Sequence, residues 1–255
     1  MRSFLFSSLL AFGCLTSSAM ALDPGDRRVL SDIQKALAEN PNSVIAHRDY
    51  QIVVEPEIGR AQLEAEYNKR LRDQGETPEN LYLMSRFKRG DEFLQAGENL
   101  NERYPDSPLG LWIIARFHRR SGNIEQAITL YQEALKHPHP DASPHIFRSW
   151  ANAIRITEGP EAAIEILDQA LTRYPGHLDT MAQKAQMLLL AGQPEDALAL
   201  TNDVLIKRLH HEEALRTEGL AYLNLERFHE ATISFETFLR LWPSRTDVWI
   251  YLASA

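Results

Sequence analysis

A period of about 34 residues, kept at several offsets at once, constrains this chain more than any other feature. Ala127, Ala163, Ala197 and Ala231 are spaced by 36, 34 and 34 residues. Twelve residues before each stands a small residue (Ala115, Ala151, Ala185, Gly219), and sixteen before stands a large apolar one (Leu111, Phe147, Met181, Leu215). Four and seven after the anchors lie Tyr131 and Ala134, Leu167 and Ala170, Thr201 and Val204, Phe235 and Phe238. Offsets of four and seven share one face of a helix. A turn signal divides every unit: Ser121-Gly122-Asn123, Glu158-Gly159-Pro160, Gly192-Gln193-Pro194, and the weaker stretch from Asn224 to Arg227. Pro160 and Pro194 suit a first helical turn, where the missing N–H costs nothing, while Pro138, Pro175 and Pro243 stop the second helix of a unit. One such hairpin cannot bury its apolar face alone, so the pattern demands stacking. No segment alternates with period two for long enough to require a strand.

In period and in residue types these units resemble the tetratricopeptide repeat. The fourth resembles it most, with Leu215, Gly219, Tyr222, Ala231, Phe235 and Pro243 of the preferred types; the third departs, with Thr201 and Val204 where an aromatic residue and an alanine are usual. The resemblance covers four units over 109–245. It implies an all-α fold, a right-handed superhelical solenoid of antiparallel helix pairs. Residues 246–255 continue the register, since Trp249 and Ala253 fall where a fifth first helix has its large and small residues, and are expected to form a partial helix or cap. Residues 22–108 read as divergent helical hairpins. They comprise a helix with Val29, Ile33, Ala36 and Leu37 on one face, a helical region from Val44 to Arg72 interrupted near Glu55 to Gly59, and another from Pro78 to Glu102 with a break near Gly90-Asp91.

The first 21 residues have a different logic. Arg2 is followed by the apolar stretch from Phe4 to Phe12 and by Ala19-Met20-Ala21, the layout of a cleaved secretory signal. The expectation is a bacterial protein of the periplasm, or a secreted one. Ala11-Phe12-Gly13 departs from the Leu-small-small box before a lipidated cysteine, which disfavours a lipid anchor at Cys14. Cys14 is the only cysteine, so a disulfide framework within the chain and a Cys-rich zinc module are excluded. A net charge of −8 argues against wholesale nucleic-acid binding. After the leader no apolar run is long enough to span a bilayer.

Catalytic patterns are weak. There is no glycine-rich phosphate loop, no G-x-S-x-G and no complete His-Glu-x-x-His. Ser85 and Lys88 fit a bare S-x-x-K without the companion motifs that would assemble a nucleophile. His137, His139, Asp141 and His145 could be weighed as metal ligands, but their prolines read better as an inter-repeat loop in which Ser143-Pro144 caps and starts the next helix. Neither catalytic residues, metal nor cofactor are expected.

The resemblance implies a concave surface, lined by the first helix of each unit, that receives a peptide or partner segment. Here the first two such helices are basic: 109–120 holds Arg116, Arg119 and Arg120, and 145–156 holds Arg148 and Arg155, with no carboxylate in either. Offsets that face the groove select Trp112, Arg116, Arg119, Arg148, Asn152, Arg155, Gln186 and Arg216. Arginine can fork onto a carboxylate and asparagine can hold a peptide backbone, so the expected ligand has an acidic or C-terminal carboxylate end. The expected function is that of a non-catalytic scaffold in the cell envelope supporting assembly or maturation of a complex. The alternative is a structural or oligomerising subunit that tethers an enzyme through its ends or convex face.

Overall fold

The computed structural model describes residues 22–254; the expected export signal and Cys14 lie outside the described residues. Fourteen α-helices follow one another in this part of the chain. They are α1 (Pro24–Glu39), α2 (Val44–Ile58), α3 (Arg60–Gln74), α4 (Pro78–Ser85), α5 (Gly90–Arg103), α6 (Pro108–Arg120), α7 (Ile124–Ala134), α8 (Ala142–Thr157), α9 (Pro160–Arg173), α10 (Leu178–Leu190), α11 (Pro194–Lys207), α12 (Glu212–Asn224), α13 (Phe228–Leu241) and the short α14 (Trp249–Leu252). A 3-10 turn at Thr246–Val248 leads into the last. Consecutive helices from α4 to α13 pack against each other, and the even-numbered ones also pack side by side as a second row. No helix among the described residues is long and apolar enough to cross a membrane.

Local chemistry sets the helix ends. Ser43, Thr77 and Ser107 accept from backbone N–H groups in the first turns of α2, α4 and α6. In α10 and α12 the same task falls to histidine: Nδ1 of His177 accepts from Thr180 N, and Nδ1 of His211 from Ala214 N. The α8 start corrects the expectation that Ser143 caps it. The helix begins at Ala142, His139 Nδ1 accepts from the N–H groups of Asp141 and Ala142, and Ser143 Oγ accepts from His139 N. Between paired helices Gly122, Gly159 and Gly192 turn the chain at φ 86, 96 and 75°, whereas the fourth turn places Glu226 at φ 57°. That turn lacks the glycine of the other three, which is why its signal is weak in the sequence, and the Glu226 side chain is strained in the left-handed conformation.

The apolar interior follows the predicted offsets. Ala127, Ala163, Ala197 and Ala231 are fully buried, as are Ala115, Ala151 and Ala185 at the helix crossings. The core is divided into four clusters along the stack. The largest unites α1 to α7 and one side of α8 as far as Ala153, and a separate one fills the last two hairpins. Backbones approach closely between α5 and α6: a Cβ on Gly110 would stand 2.6 Å from Asn101 N.

α1 is placed differently from the rest. It crosses the loops that join one unit to the next. Its start meets Trp242 and Ser244, its middle meets His210, and with Ser43 to Asp49 it borders a cavity whose far wall is Pro140, Pro144 and His177.

Candidate functional site

The even-numbered helices α2 to α12 bring two polar regions to one side of the molecule. The first is built on aromatic rings. Tyr82 of α4 and Trp112 of α6 stack at 5.0 Å, and Trp112 Nε1 donates to Ser149 Oγ at 3.2 Å. Trp112 is only 2 % exposed, which corrects its expected place on the groove surface: it is the floor under the arginines. The Arg116 guanidinium lies 5.9 Å from the ring centres of both Trp112 and Phe93, and Arg120 lies 5.6 Å from Phe93. Arg86 reaches Gln51 Oε1 at 2.6 Å. Among the described residues no carboxylate comes within ion-pair distance of Arg86, Arg89, Arg116, Arg119 or Arg120. Burial depresses the pKa of Arg120, and Arg116, Arg119 and Arg89 depress it further. Burial lowers that of Arg86 too, with Arg116 and Arg48 adding to it. These cations push one another and form a positive ledge without an ion-paired carboxylate among the described residues, eased by the ring faces beneath them, by Gln51 and by the more distant Asp49.

The second region is a closed knot. Arg148 donates through Nε to Gln183 Oε1 at 2.8 Å and through Nη2 to Glu213 Oε2 at 2.9 Å, and its Nη1 lies 3.4 Å from both Asp179 Oδ2 and His145 Nδ1. The expectation of a free groove arginine at 148 is therefore corrected: its charge is consumed by acids one and two units further along. His211 uses Nδ1 as a helix cap, which fixes the proton on Nε2, and that N–H donates to Asp179 Oδ1 at 3.1 Å. Burial opposes ionisation of Asp179, yet the His211 hydrogen bond and the Arg148 charge outweigh it and hold the carboxyl well below the usual range. Burial, then Arg48 and Arg148, keeps His145 neutral. For Glu213 burial wins over its ion pair with Arg148 and raises the pKa.

Donor atoms of His145, His177 and Asp179 lie within 4.8 Å of one another, a grouping that could hold a metal ion. The surroundings do not fit one. Arg148 already puts positive charge between His145 and Asp179, and Arg208 stands 3.8 Å from the same carboxylate. A divalent cation would have to displace a guanidinium that satisfies four acceptors. His139 is likewise committed to capping α8, and Ser85 is buried with Oγ donating to Tyr82 O at 2.6 Å.

The remaining expected groove residues are spread out. Arg119, Asn152, Gln186 and Arg216 are half-buried, and Arg155 is exposed at the end of α8. Arg116 and Arg119 join the ledge. Arg86 and Arg89, from the segment that joins α4 to α5, and Phe93 of α5 are additions from a region where the repeat register is degenerate. The basic run Arg86-Phe87-Lys88-Arg89 was their only sequence signal.

Comparison with known proteins agrees with this architecture. Residues 160–217, spanning α9 to the middle of α12, match the tetratricopeptide repeat family. No curated protein sequence matches the chain. Among solved structures, the Cut9–Hcn1 hetero-tetramer of the APC/C superposes with a TM-score of 0.63 at 13 % identity, over 89 % of this chain and 46 % of that one. YrrB, described as a TPR protein with an unusual peptide-binding site, gives 0.48 at 14 % identity over 86 % and 96 % of the two chains. MamA from Desulfovibrio magneticus RS-1 gives 0.47 at 20 % identity over 64 % and 82 %. The fold is a tetratricopeptide-type solenoid.

Proposed function

We propose that this solenoid is a non-catalytic protein-interaction scaffold of the cell envelope that holds an acidic partner segment to support assembly or maturation of a complex. The observation that carries the reading is the ledge of Arg86, Arg89, Arg116, Arg119 and Arg120. The chain has many carboxylates, and among the described residues none lies within ion-pair distance of these five. An incoming carboxylate would gain charge-assisted, forked hydrogen bonds and relieve the mutual repulsion of the arginines. Groups suited to acid–base chemistry are instead locked in the Arg148 knot, which favours binding over catalysis. The leader-like layout of residues 1–21 supports export to the envelope.

The test is fluorescence anisotropy with a labelled hexaglutamate peptide carrying a free C-terminus. Arg119→Glu/Arg120→Glu should weaken binding at least about tenfold with an unchanged circular dichroism spectrum. Equal affinity in the two proteins would remove the ledge as the site. Affinity capture from envelope extract with the same pair then identifies the partner.

A second reading rests on exposed apolar side chains away from the ledge. Trp249 is 53 % and Ile250 71 % exposed in α14. They suit a scaffold that self-associates or tethers an enzyme through its last helix. Light scattering with and without residues 247–255 decides: only this reading expects an assembly that dissociates on truncation.

A further inference from the structure

α1 lies like a bar across the loops between units, and its two sides are attached by different means. Its apolar residues Leu30, Ile33 and Leu37 belong to the core cluster that continues through α2, α4 and α6. None of them joins the cluster of the last two hairpins, although the start of α1 lies directly against that end. There the attachment is mostly polar. Trp242 Nε1 donates to Asp26 Oδ1 at 3.0 Å, Arg245 pairs with Asp26 at 3.6 Å, Ser244 donates to Asp23, and His210 Nε2 stands 2.9 Å from Asp32 Oδ2. Gly25 also packs on the Trp242 indole, which is fully buried there; a Cβ on Gly25 would come within 2.2 Å of it. Two cavities of about 320 and 420 Å³ flank this line of contact. Val29 borders both, with His177 and Arg208 across the first and Glu212 and Arg245 across the second.

We propose that this seam is a clasp: the last two hairpins swing away from α1 while both sides stay folded, widening the approach to the inner helices for a partner segment. Apart from the buried Trp242 indole that Gly25 covers, the seam is held by polar contacts that water can replace, and void flanks it on both sides. The cluster that holds α1 is separate from the one in the last two hairpins, so parting at the seam divides no cluster, while α9 against α10 stays packed as the pivot. The use made of the opening rests on the scaffold reading above; the opening itself does not.

Distances between spin labels on the full chain test it. With Cys14→Ser as background, Lys35→Cys and Leu209→Cys put labels on exposed positions either side of the seam. Gly25→Leu, which drives a side chain into Trp242, should lengthen the distance by about 10 Å, the width needed to admit a helix. Asp23→Ala/Asp32→Ala, which keeps Gly25 and the core intact, should shift part of the population the same way, and it decides the matter if Gly25→Leu does not fold. An unchanged single short distance in the Asp23→Ala/Asp32→Ala protein overturns the clasp. So does a distance change accompanied by loss of helical signal, since the seam would then be part of the cooperative fold. Hexaglutamate affinity, measured separately, reports on the scaffold reading alone.

Discussion

Replacing Arg148 by methionine should destabilise the protein far more than the same change at Arg155, although the two stand seven residues apart on α8. Arg148 is 21 % exposed at its side chain and holds two short and two longer contacts. Breaking one partner of a fully buried ion pair costs about 3–5 kcal/mol, because the abandoned charge stays buried. A fifth of the side chain is wet, and Asp179 keeps His211 as a donor, so the expectation falls to about 2–3 kcal/mol. Arg155 is exposed and hydrogen-bonds to nothing among the described residues, so its loss should stay within about 0.5 kcal/mol. Urea unfolding followed by circular dichroism measures both, with the difference read from midpoints at a common slope. Adding Glu213→Gln to Arg148→Met should cost less than the sum of the single changes, since the second removes the acid that the first strands. Equal midpoints for the Arg148→Met and Arg155→Met proteins would refute the picture of a closed knot and return Arg148 to the solvated groove.

Three further outcomes are expected. Glu226→Gly should raise stability by about 1 kcal/mol, because Glu226 holds a left-handed conformation that glycine adopts without strain; a lower melting temperature would contradict this. Gly110→Ala should cost about 1–3 kcal/mol, since the clash is with the Asn101 backbone, whereas Gly219→Ala meets only the Phe235 ring; the reverse order in urea would be inconsistent with the packing described. Stability should fall as the pH drops from about 6.5 to about 4. Burial, then Arg70, lowers the His47 pKa to about 4, so the unfolded chain binds that proton first. The lowered values of His145 and His177 act in the same direction. Asp179 keeps its contribution across this window and loses it only below the ordinary carboxylate range. Burial raises the carboxyls of Glu213 and Glu218, which opposes this fall, so the histidine part is read from His47→Gln, whose profile should drop less than the parent's; identical profiles would exclude a neutral, buried His47.

The helix pairs from α6 to α13 were legible because their information is periodic: small residues at crossings and large ones between hairpins recur at fixed offsets. The knot was not, because its logic is long-range. Arg148 meets Asp179 at a separation of 31 residues and Glu213 at 65, and an offset count within one helix cannot see a neighbour two units away. A trace was present all the same. His145, His177 and His211 recur at spacings of 32 and 34, close to the repeat itself. His145 reads from sequence only as a weak metal ligand, and His177 and His211 cap helices, a task usually sought among serine, threonine, aspartate and asparagine. The ledge was half visible. Arg116, Arg119 and Arg120 stood in an acid-free helix, but Arg86 and Arg89 come from units whose register the sequence blurs. Trp112 was misplaced for a related reason: its stacking partner, Tyr82, also belongs to those units.

The bar made by α1 also orders events in time. Asp26 and Trp242 are 216 residues apart, so α1 meets its far-side partners long after it is made. At a synthesis rate of about 5–20 residues per second, the interval is on the order of ten to forty seconds. During it α1 can settle on α2 and the early hairpins, whose contacts are local and quick to close. Closing the long loop adds little entropy beyond what the growing stack has already spent, because each hairpin shortens the free span that remains. Docking of α1 against the far end of the stack therefore waits until the chain past Trp242 and Ser244 is available, and until then Asp23, Gly25 and Asp26 have nothing to meet on that side.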